Sequence, residues 1–430
     1  MNAETMQQML NLLQKEVVPA LGCTEPITVA LAAARAAKEA GGTPESVKVE
    51  LSGNVLKNGM SVGVPGTGMT GLDIAAAIGA IGGNPDLGLE ALRDITPSQV
   101  EEAKKMLTDG KIRVELSQYK DPLFVAVSVK SKNHTATAII QGSHTNLVKV
   151  LKDDKVVWEK PEVSTTASAQ DKSFLNLKSI YAFATAVPFK DIEFILEGER
   201  LNMAIAKEGL SKPYGLQLGR TLQTNISKGL LADDTCNYAL MLTAGAIDAR
   251  MDGAMLPVMS NSGSGDQGLT CTLPIVAFAE RLKADREQLA RALVMGNLAA
   301  IHVKQFIGRL SALCGTTVAA IGACCGIVLL MGGKEQEMAR AVNSMIGNVT
   351  GIICDGAKNS CALKANSSVG AAIYAAMLAM SGLGVTGKEG IVNDDVEESI
   401  RNLGRLTKEG MAETDKVILD IMIKKTGKTA

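Results

Sequence analysis

The chain has 430 residues, 46% hydrophobic but only 3% aromatic, with a formal net charge of −1. That length implies two domains and ample material for a core. Its dispersed Lys and Arg exclude the concentrated basic patch that nucleic acid demands. With so few aromatics the core has to be built from Ala, Leu, Ile, Val and Met, which favours close-packed helices over a sandwich.

In chain order, residues 1–42 read as two helices broken at Leu21-Gly22-Cys23, with Thr24 as N-cap and Pro26 in the first turn, where its missing N–H costs nothing. Cys23 just before a helix N-terminus is favoured as a thiolate, and so as a base or nucleophile. Glu25 works against that shift, and a packed thiol is the competing reading. Val47-Lys48-Val49-Glu50-Leu51 alternates like a strand. A glycine-rich loop spanning Asn58–Gly68 then leads into an Ala/Ile helix from about Leu72. After a helix near Pro97–Thr108 come strand candidates at 111–117, 123–130, 134–141, 146–151 and 155–159. Lys160–Gln170 is the best linker candidate. Beyond it the pattern is helical, with breaks at 261–268, 314–315, 351–356 and 381–390. The expected fold is α+β. Residues 1–42 and 170–430 make a predominantly helical domain, and 43–169 a smaller α+β domain.

The uncharged run Ser311–Met331 is long enough to cross a bilayer. It stands alone in the chain and has no aromatic belt, so the buried centre of a helical domain fits it better than a membrane span. The N-terminal residues lack the basic start and apolar run of a secretory leader. Eight cysteines in so large a chain, two of them adjacent at Cys324-Cys325, suit a reducing cytoplasm rather than a disulfide framework.

Cys314, Cys354 and Cys361, in glycine- and aspartate-flanked contexts, suggest a thiolate-held metal centre. Three ligands rather than four would leave one metal ion open to substrate. Singly, each cysteine could equally be a small apolar residue in the core. Ser260–Gly268 is dense in hydroxyls, amides and bare backbone directly before a helix, a combination able to cradle a carboxylate or phosphate, or simply to turn. A pyridoxal phosphate enzyme would also want such a loop, with Lys57 or Lys364 as its Schiff-base lysine. His144, in Gly142-Ser143-His144-Thr145, could bond a substrate carboxylate or move a proton, whereas His134 and His302 look ordinary.

Several motifs carry a resemblance: Pro19-Ala20-Leu21-Gly22-Cys23-Thr24-Glu25-Pro26, Lys57-Asn58-Gly59 with Pro65-Gly66-Thr67-Gly68, Met259–Gly265, Leu310-Ser311-Ala312-Leu313-Cys314, and Cys354-Asp355-Gly356-Ala357 with Asn359-Ser360-Cys361. Together, nearly end to end, they resemble the L-cysteine desulfidase family, related to the iron–sulfur L-serine dehydratase alpha chain. The resemblance implies a [4Fe–4S] cluster on Cys314, Cys354 and Cys361, with Cys23 as proton acceptor. Asp266 stands where some relatives carry Asn, which bears on the charge of the substrate loop but not on the cluster. The implied reaction is α,β-elimination from L-cysteine to sulfide, ammonia and pyruvate, with serine dehydration as the alternative and a non-catalytic cluster-carrying sensor as a reading from another class. Asn58, His144, Asn261, Ser262, Gly263 and Ser264 are the candidate substrate-binding residues. The partner is a small amino acid, with neither nucleic acid nor membrane involved and a homo-oligomer left open.

Overall fold

The computed structural model describes residues 1–119, 121–161, 174–308 and 310–426. Helix α1 (Ala3–Glu16), strand β1 (Pro19–Leu21) and helix α2 (Thr24–Ala40) open the chain. The N-cap of α2 is Cys23 rather than Thr24, whose hydroxyl instead donates to Glu25 Oε2 at 3.1 Å.

Strand β2 (Pro44–Leu51) buries Val47, Val49 and Leu51 on one face and turns Lys48 outward, the alternation of a sheet covered on one side. Helix α3 (Gly53–Gly59) follows, where the sequence suggested that a loop began at Asn58. Tertiary contacts hold its Gly-Asn-Val-Leu-Lys-Asn-Gly in helical form against weak propensity. A small ribbon of β3 (Gly63–Val64) and β4 (Met69–Thr70) leads to α4 (Leu72–Gly82) and α5 (Pro97–Thr108). Helix α5 starts with a capping box between Thr96 and Gln99 and Pro97 in its first turn. Strands β5 (Ile112–Leu116), β6 (Phe124–Ser131), β7 (Thr135–Gln141), β8 (Leu147–Lys152) and β9 (Lys155–Glu159) complete a six-stranded sheet ordered β5-β2-β6-β7-β8-β9. Only β2 and β5 run parallel, and α3 to α5 provide the crossover that a parallel pair needs.

The covering layer is α2 with α4 and α5. Val29, Leu31, Ala32, Ala33 and Ala36 of α2 join the sheet residues in one core cluster, and Ile27 and Ala30 join α4 and α5 in another. Residues 1–42 therefore do not pack as one piece on the helical region. Helix α1 and Cys23 do so, but α2 belongs with the sheet, because it is apolar nearly all round and is enclosed by α4, β6 and β7.

The proposed linker beyond residue 161 lies outside the described residues. From residue 174 the described chain consists of helices joined by loops, with one short strand among the described residues. Helices α6 (Leu177–Ala186), α7 (Phe189–Ile192), α8 (Glu197–Ser211), α9 (Leu218–Ser227) and α10 (Thr235–Met251) precede strand β10 (Pro257–Met259). Then come α11 (Gly265–Leu282), α12 (Arg286–Ile307), α13 (Gly315–Leu330), α14 (Glu335–Val349), α15 (Cys361–Met380), α16 (Val396–Arg405) and α17 (Ala412–Thr426). Helix α13, the uncharged run, is the hub: α11, α12, α14 and α15 pack around it. Among the described residues no helix is long and apolar enough to cross a membrane. Helix α17 returns to pack on α3, where buried Lys57 meets Asp415 at 2.5 Å.

Candidate active site

Backbone pairing brings the site together. Strand β1 pairs antiparallel with β10, Pro19 opposite Met259 and Leu21 opposite Pro257, which sets Cys23 beside the loop that begins at Ser260. Gly22 makes the bend after β1 at φ 73°, and a Cβ there would meet Pro65 Cγ at 2.3 Å. Asn261 and Ser264 bridge around Ser262 (φ 51°) and Gly263 (φ 77°), a two-residue turn with both residues left-handed. A serine in that region is uncommon and costs of order 1 kcal/mol, which the surrounding bonds must hold. Opposite, Cys314 N–H donates to Ile352 at 2.9 Å and Cys354 N–H to Ala312 at 2.7 Å, so two of the three cysteines lie on adjacent antiparallel segments. Cys361 opens α15. Gly356, at φ 94°, lets the connecting loop run against α3: a Cβ there would meet Lys57 O at 2.2 Å, and Ala357 N–H donates to Asn58 O at 3.2 Å.

The result is a cleft of about 700 Å³, measured out to solvent. Cys23, Asn58, His144, Ser262, Gly263, Ser264, Cys314, Cys354 and Cys361 all line it, with Glu25, Arg250, Asp266, Gln267 and Lys304. Asn261 does not. Its amide lies beneath the turn, bonded to Asn297 Oδ1 at 2.9 Å, so it shapes the loop from behind. The N-termini of α2, α11, α13 and α15 all open on this cleft, since Cys23, Ser264, Cys314 and Cys361 sit at their first positions. Their partial positive charges favour anions, thiolates included.

The loop's own amides donate less to the cleft than its composition suggested. The N–H groups of Ser260, Asn261, Ser262 and Ser264 are committed to Val18, Ser264, Glu16 and Asn261 carbonyls. Gly263, the first turn of α11, and the Arg250 and Lys304 side chains line the cleft beside it. Arg250, 3% exposed, was not legible as a site residue. It bonds Asp266 Oδ1 at 2.7 Å and Gly22 O at 2.7 Å, and lies 3.4 Å from Cys23 Sγ. The available signal was a charged residue inside an Ala-rich stretch of helix, where charges are rarely buried without a partner.

Electrostatics correct the expectation for Cys23. Burial pushes its thiol up to about 12; Arg250 opposes that, while Asp266 and Glu25 add to it. The helix N-terminus alone does not make a resting thiolate. Glu25 behaves oppositely. Burial raises its carboxyl, but His144 and Asn58 outweigh that and hold it at about 2. Its contact to His144 Nε2 is 3.9 Å, an ion-pair distance too long for a hydrogen bond, whereas Asn58 Nδ2 donates to Oε1 at 2.8 Å. Glu25 thus keeps its charge and takes a proton poorly. Both ring nitrogens of His144 are buried without a hydrogen-bond partner among the described residues, while His134 and His302 are paired to Asp153 and Glu397.

Among the described residues no three His, Cys, Asp or Glu side chains converge tightly enough to hold a single metal ion. A cluster asks for something else: each thiolate takes its own iron, so the sulfurs must stand apart around a common space. Cys314, Cys354 and Cys361 are free thiols that share this cleft, and that donor set fits an iron–sulfur cluster. Burial and the neighbouring Cys354 push the Cys314 thiol up to about 11, so metal binding would displace protons. Lys364 lies near enough to Cys314 and Cys361, and Lys358 to Cys354 and Cys361, to favour the thiolates. The two lysines considered for a Schiff base are engaged elsewhere, Lys57 with Asp415 and Lys364 with Asp355.

A protein from Oleidesulfovibrio alaskensis named UPF0597 is 53% identical to this chain over 417 residues, 97% of each. UPF0597 protein BF3560 of Bacteroides fragilis is 47% identical over 426 residues, covering 99% of this chain and all of that one. The profile of the serine dehydratase alpha chain matches residues 86–420, a span that holds the cysteine trio, the 260–268 loop, Arg250 and His144, and begins after Cys23 and Asn58. With its three cysteines on one cleft and that match over most of its length, the chain belongs to the serine dehydratase alpha chain family.

Proposed function

We propose that this protein is a lyase that removes the β-substituent of L-cysteine, releasing sulfide, ammonia and pyruvate. One observation carries the reading: Cys23, the cysteine trio and the Ser262–Ser264 turn, remote in sequence, line a single cleft. Cys314, Cys354 and Cys361 would hold a [4Fe–4S] cluster, whose open iron, when bound, supplies a Lewis acid for the leaving sulfur. Cys23, once its thiol has lost its proton beside the Arg250 guanidinium, takes the Cα proton. The Cα–H electrons form the double bond as the C–S bond breaks, and sulfide leaves with its electron pair. The resulting aminoacrylate tautomerises and adds water, giving pyruvate and ammonia. Arg250 has two tasks in this reading: it neutralises Asp266 and stabilises the thiolate form of Cys23. Gly263, the α11 N-terminus and Lys304 receive the substrate carboxylate.

The same arrangement would dehydrate L-serine, with hydroxide as leaving group, and the family's description favours that second reading. The test is anaerobic purification, measurement of iron and acid-labile sulfide, then assay of pyruvate and sulfide from L-cysteine against pyruvate from L-serine. Sulfide equal to pyruvate, at a higher kcat/KM than serine, supports the cysteine reading. Protein that carries iron but yields pyruvate from neither amino acid refutes both.

A further inference from the structure

A zwitterionic amino acid brings a positive charge into the cleft as well as a negative one, and a buried charge left unmatched is costly. Two carboxylates line the cleft, Asp266 and Glu25. Asp266 is already matched by Arg250 at 2.7 Å. Glu25 has no charged hydrogen-bond partner of that kind among the described residues. It accepts from Asn58 Nδ2 (2.8 Å) and Thr24 Oγ1 (3.1 Å), both neutral donors, while His144 stands at 3.9 Å, beyond hydrogen-bond reach, and Arg250 acts on it only through space. A carboxylate has about four acceptor directions, so Glu25 retains capacity for a further donor. The amide of Asn58 turns its nitrogen to Glu25, because an ionised carboxylate accepts only, and this leaves Oδ1 buried with no partner among the described residues. Gln267 Oε1, on the same cleft, is likewise buried and unpartnered. Around Glu25 the cleft therefore presents an anion and, on the amide bonded to it, an unfilled acceptor, which together complement an ammonium group with three N–H donors.

We infer that Glu25, with Asn58 Oδ1, forms the subsite for the substrate's α-ammonium group and makes the cleft selective for α-amino acids over their deamino analogues. Asn58 thus serves the cationic end of the substrate rather than its carboxylate. The inference rests on the proposal that an amino acid binds here, but not on which reaction follows.

The experiment measures binding to the anaerobic holoenzyme of two matched pairs: L-cysteine with 3-mercaptopropanoate, and L-serine with 3-hydroxypropanoate. Each pair differs only in the α-ammonium group. Wild type is expected to prefer the amino member of at least one pair. Glu25→Gln keeps the hydrogen-bonding shape but removes the charge, and should cut affinity for the amino member about 30-fold, roughly 2 kcal/mol at 1.4 kcal/mol per tenfold. It should leave the deamino member unchanged or bound more tightly. Glu25→Asp, which keeps the charge, should recover part of the preference, and this separates charge recognition from damage to the fold. Equal weakening of both members in Glu25→Gln overturns the inference, as does a wild type with no preference. If wild type turns over neither amino acid but loses its amino preference in Glu25→Gln, the subsite stands and the reaction reading falls. If wild type turns over L-cysteine and Glu25→Gln keeps the full preference, the reverse holds.

Discussion

Helix α13 carries buried cysteines at its N-cap and in its middle, and the two settings differ in everything except burial. Cys324 and Cys325 sit among aliphatic side chains of the helical core, with Cys271 of α11 nearby, and burial raises all three thiols without a cation to oppose it. Cys314 has the Thr316 hydroxyl at 3.0 Å, Lys364 within electrostatic reach, the α13 N-terminus behind it and a cleft in front. Exclusion from water therefore does not separate a core cysteine from a proposed ligand. What separates them is whether the surroundings can stabilise the negative charge that a ligand must carry.

The sharpest way to break this contrast is to remove one cysteine of each kind. Cys314→Ala should lower iron per chain to background after anaerobic reconstitution and gel filtration. Cys324→Ala should keep its iron and lose only about 1 kcal/mol of stability, the order expected for a small buried deletion. Iron lost from Cys324→Ala, or kept by Cys314→Ala, would invert the assignment. Next in size, Cys23→Ala should reduce pyruvate formation about 10²–10⁴-fold, the range for a lost general base, while iron content stays at the wild-type level. Loss of iron from that variant would make Cys23 a fourth ligand and the site closed.

A smaller effect is expected from Arg250→Lys, which keeps the positive charge but loses the fork that spans Cys23, Asp266 and Gly22. Turnover should fall roughly 10- to 100-fold, the worth of one charge-assisted contact (about 1.5–3 kcal/mol), and the rise of kcat with pH should move to higher pH. An unchanged pH profile would separate Arg250 from the Cys23 proton. The smallest effect is on stability. The Glu25 carboxyl is held at about 2 in the folded protein against an ordinary 4.5, so its contribution is fully present above about 4.5 and is lost as pH falls towards 2. Urea midpoints at pH 5 and pH 3 should therefore differ less in Glu25→Gln than in wild type. Equal differences would mean that Glu25 is not preferentially ionised in the folded state.

Sequence reasoning served best where local rules agree. Val47, Val49 and Leu51 announce their strand by period, the helix expected near Pro97–Thr108 is α5, and the trio singled out by chemistry and flanking glycines shares one cleft. It failed where a residue's role depends on a distant partner. Arg250 lies 227 residues from the thiol it touches, and nothing in its own helix points to Cys23. Helix α2 is buried on almost every side, and a helix without a polar face does not reveal which neighbour will enclose it. Asn58 was legible as a site residue, but its orientation was not, because that follows from the charge of Glu25 across a contact between different elements.

The salt bridge between Lys57 and Asp415 spans 358 residues of chain, and Lys57 also donates to Cys354 O at 3.2 Å. The backbone of one proposed ligand is thus braced by a lysine of α3, which is held in turn by α17, far along the chain. Contacts so remote in sequence form late, since the entropy of closing long loops is lost before they can compensate it. During translation the cysteines at 314, 354 and 361 emerge before α17 can dock, and for that interval the loop from Cys354 to Cys361 lacks its brace. Until Asp415 reaches Lys57, this loop is the less constrained wall of the cleft.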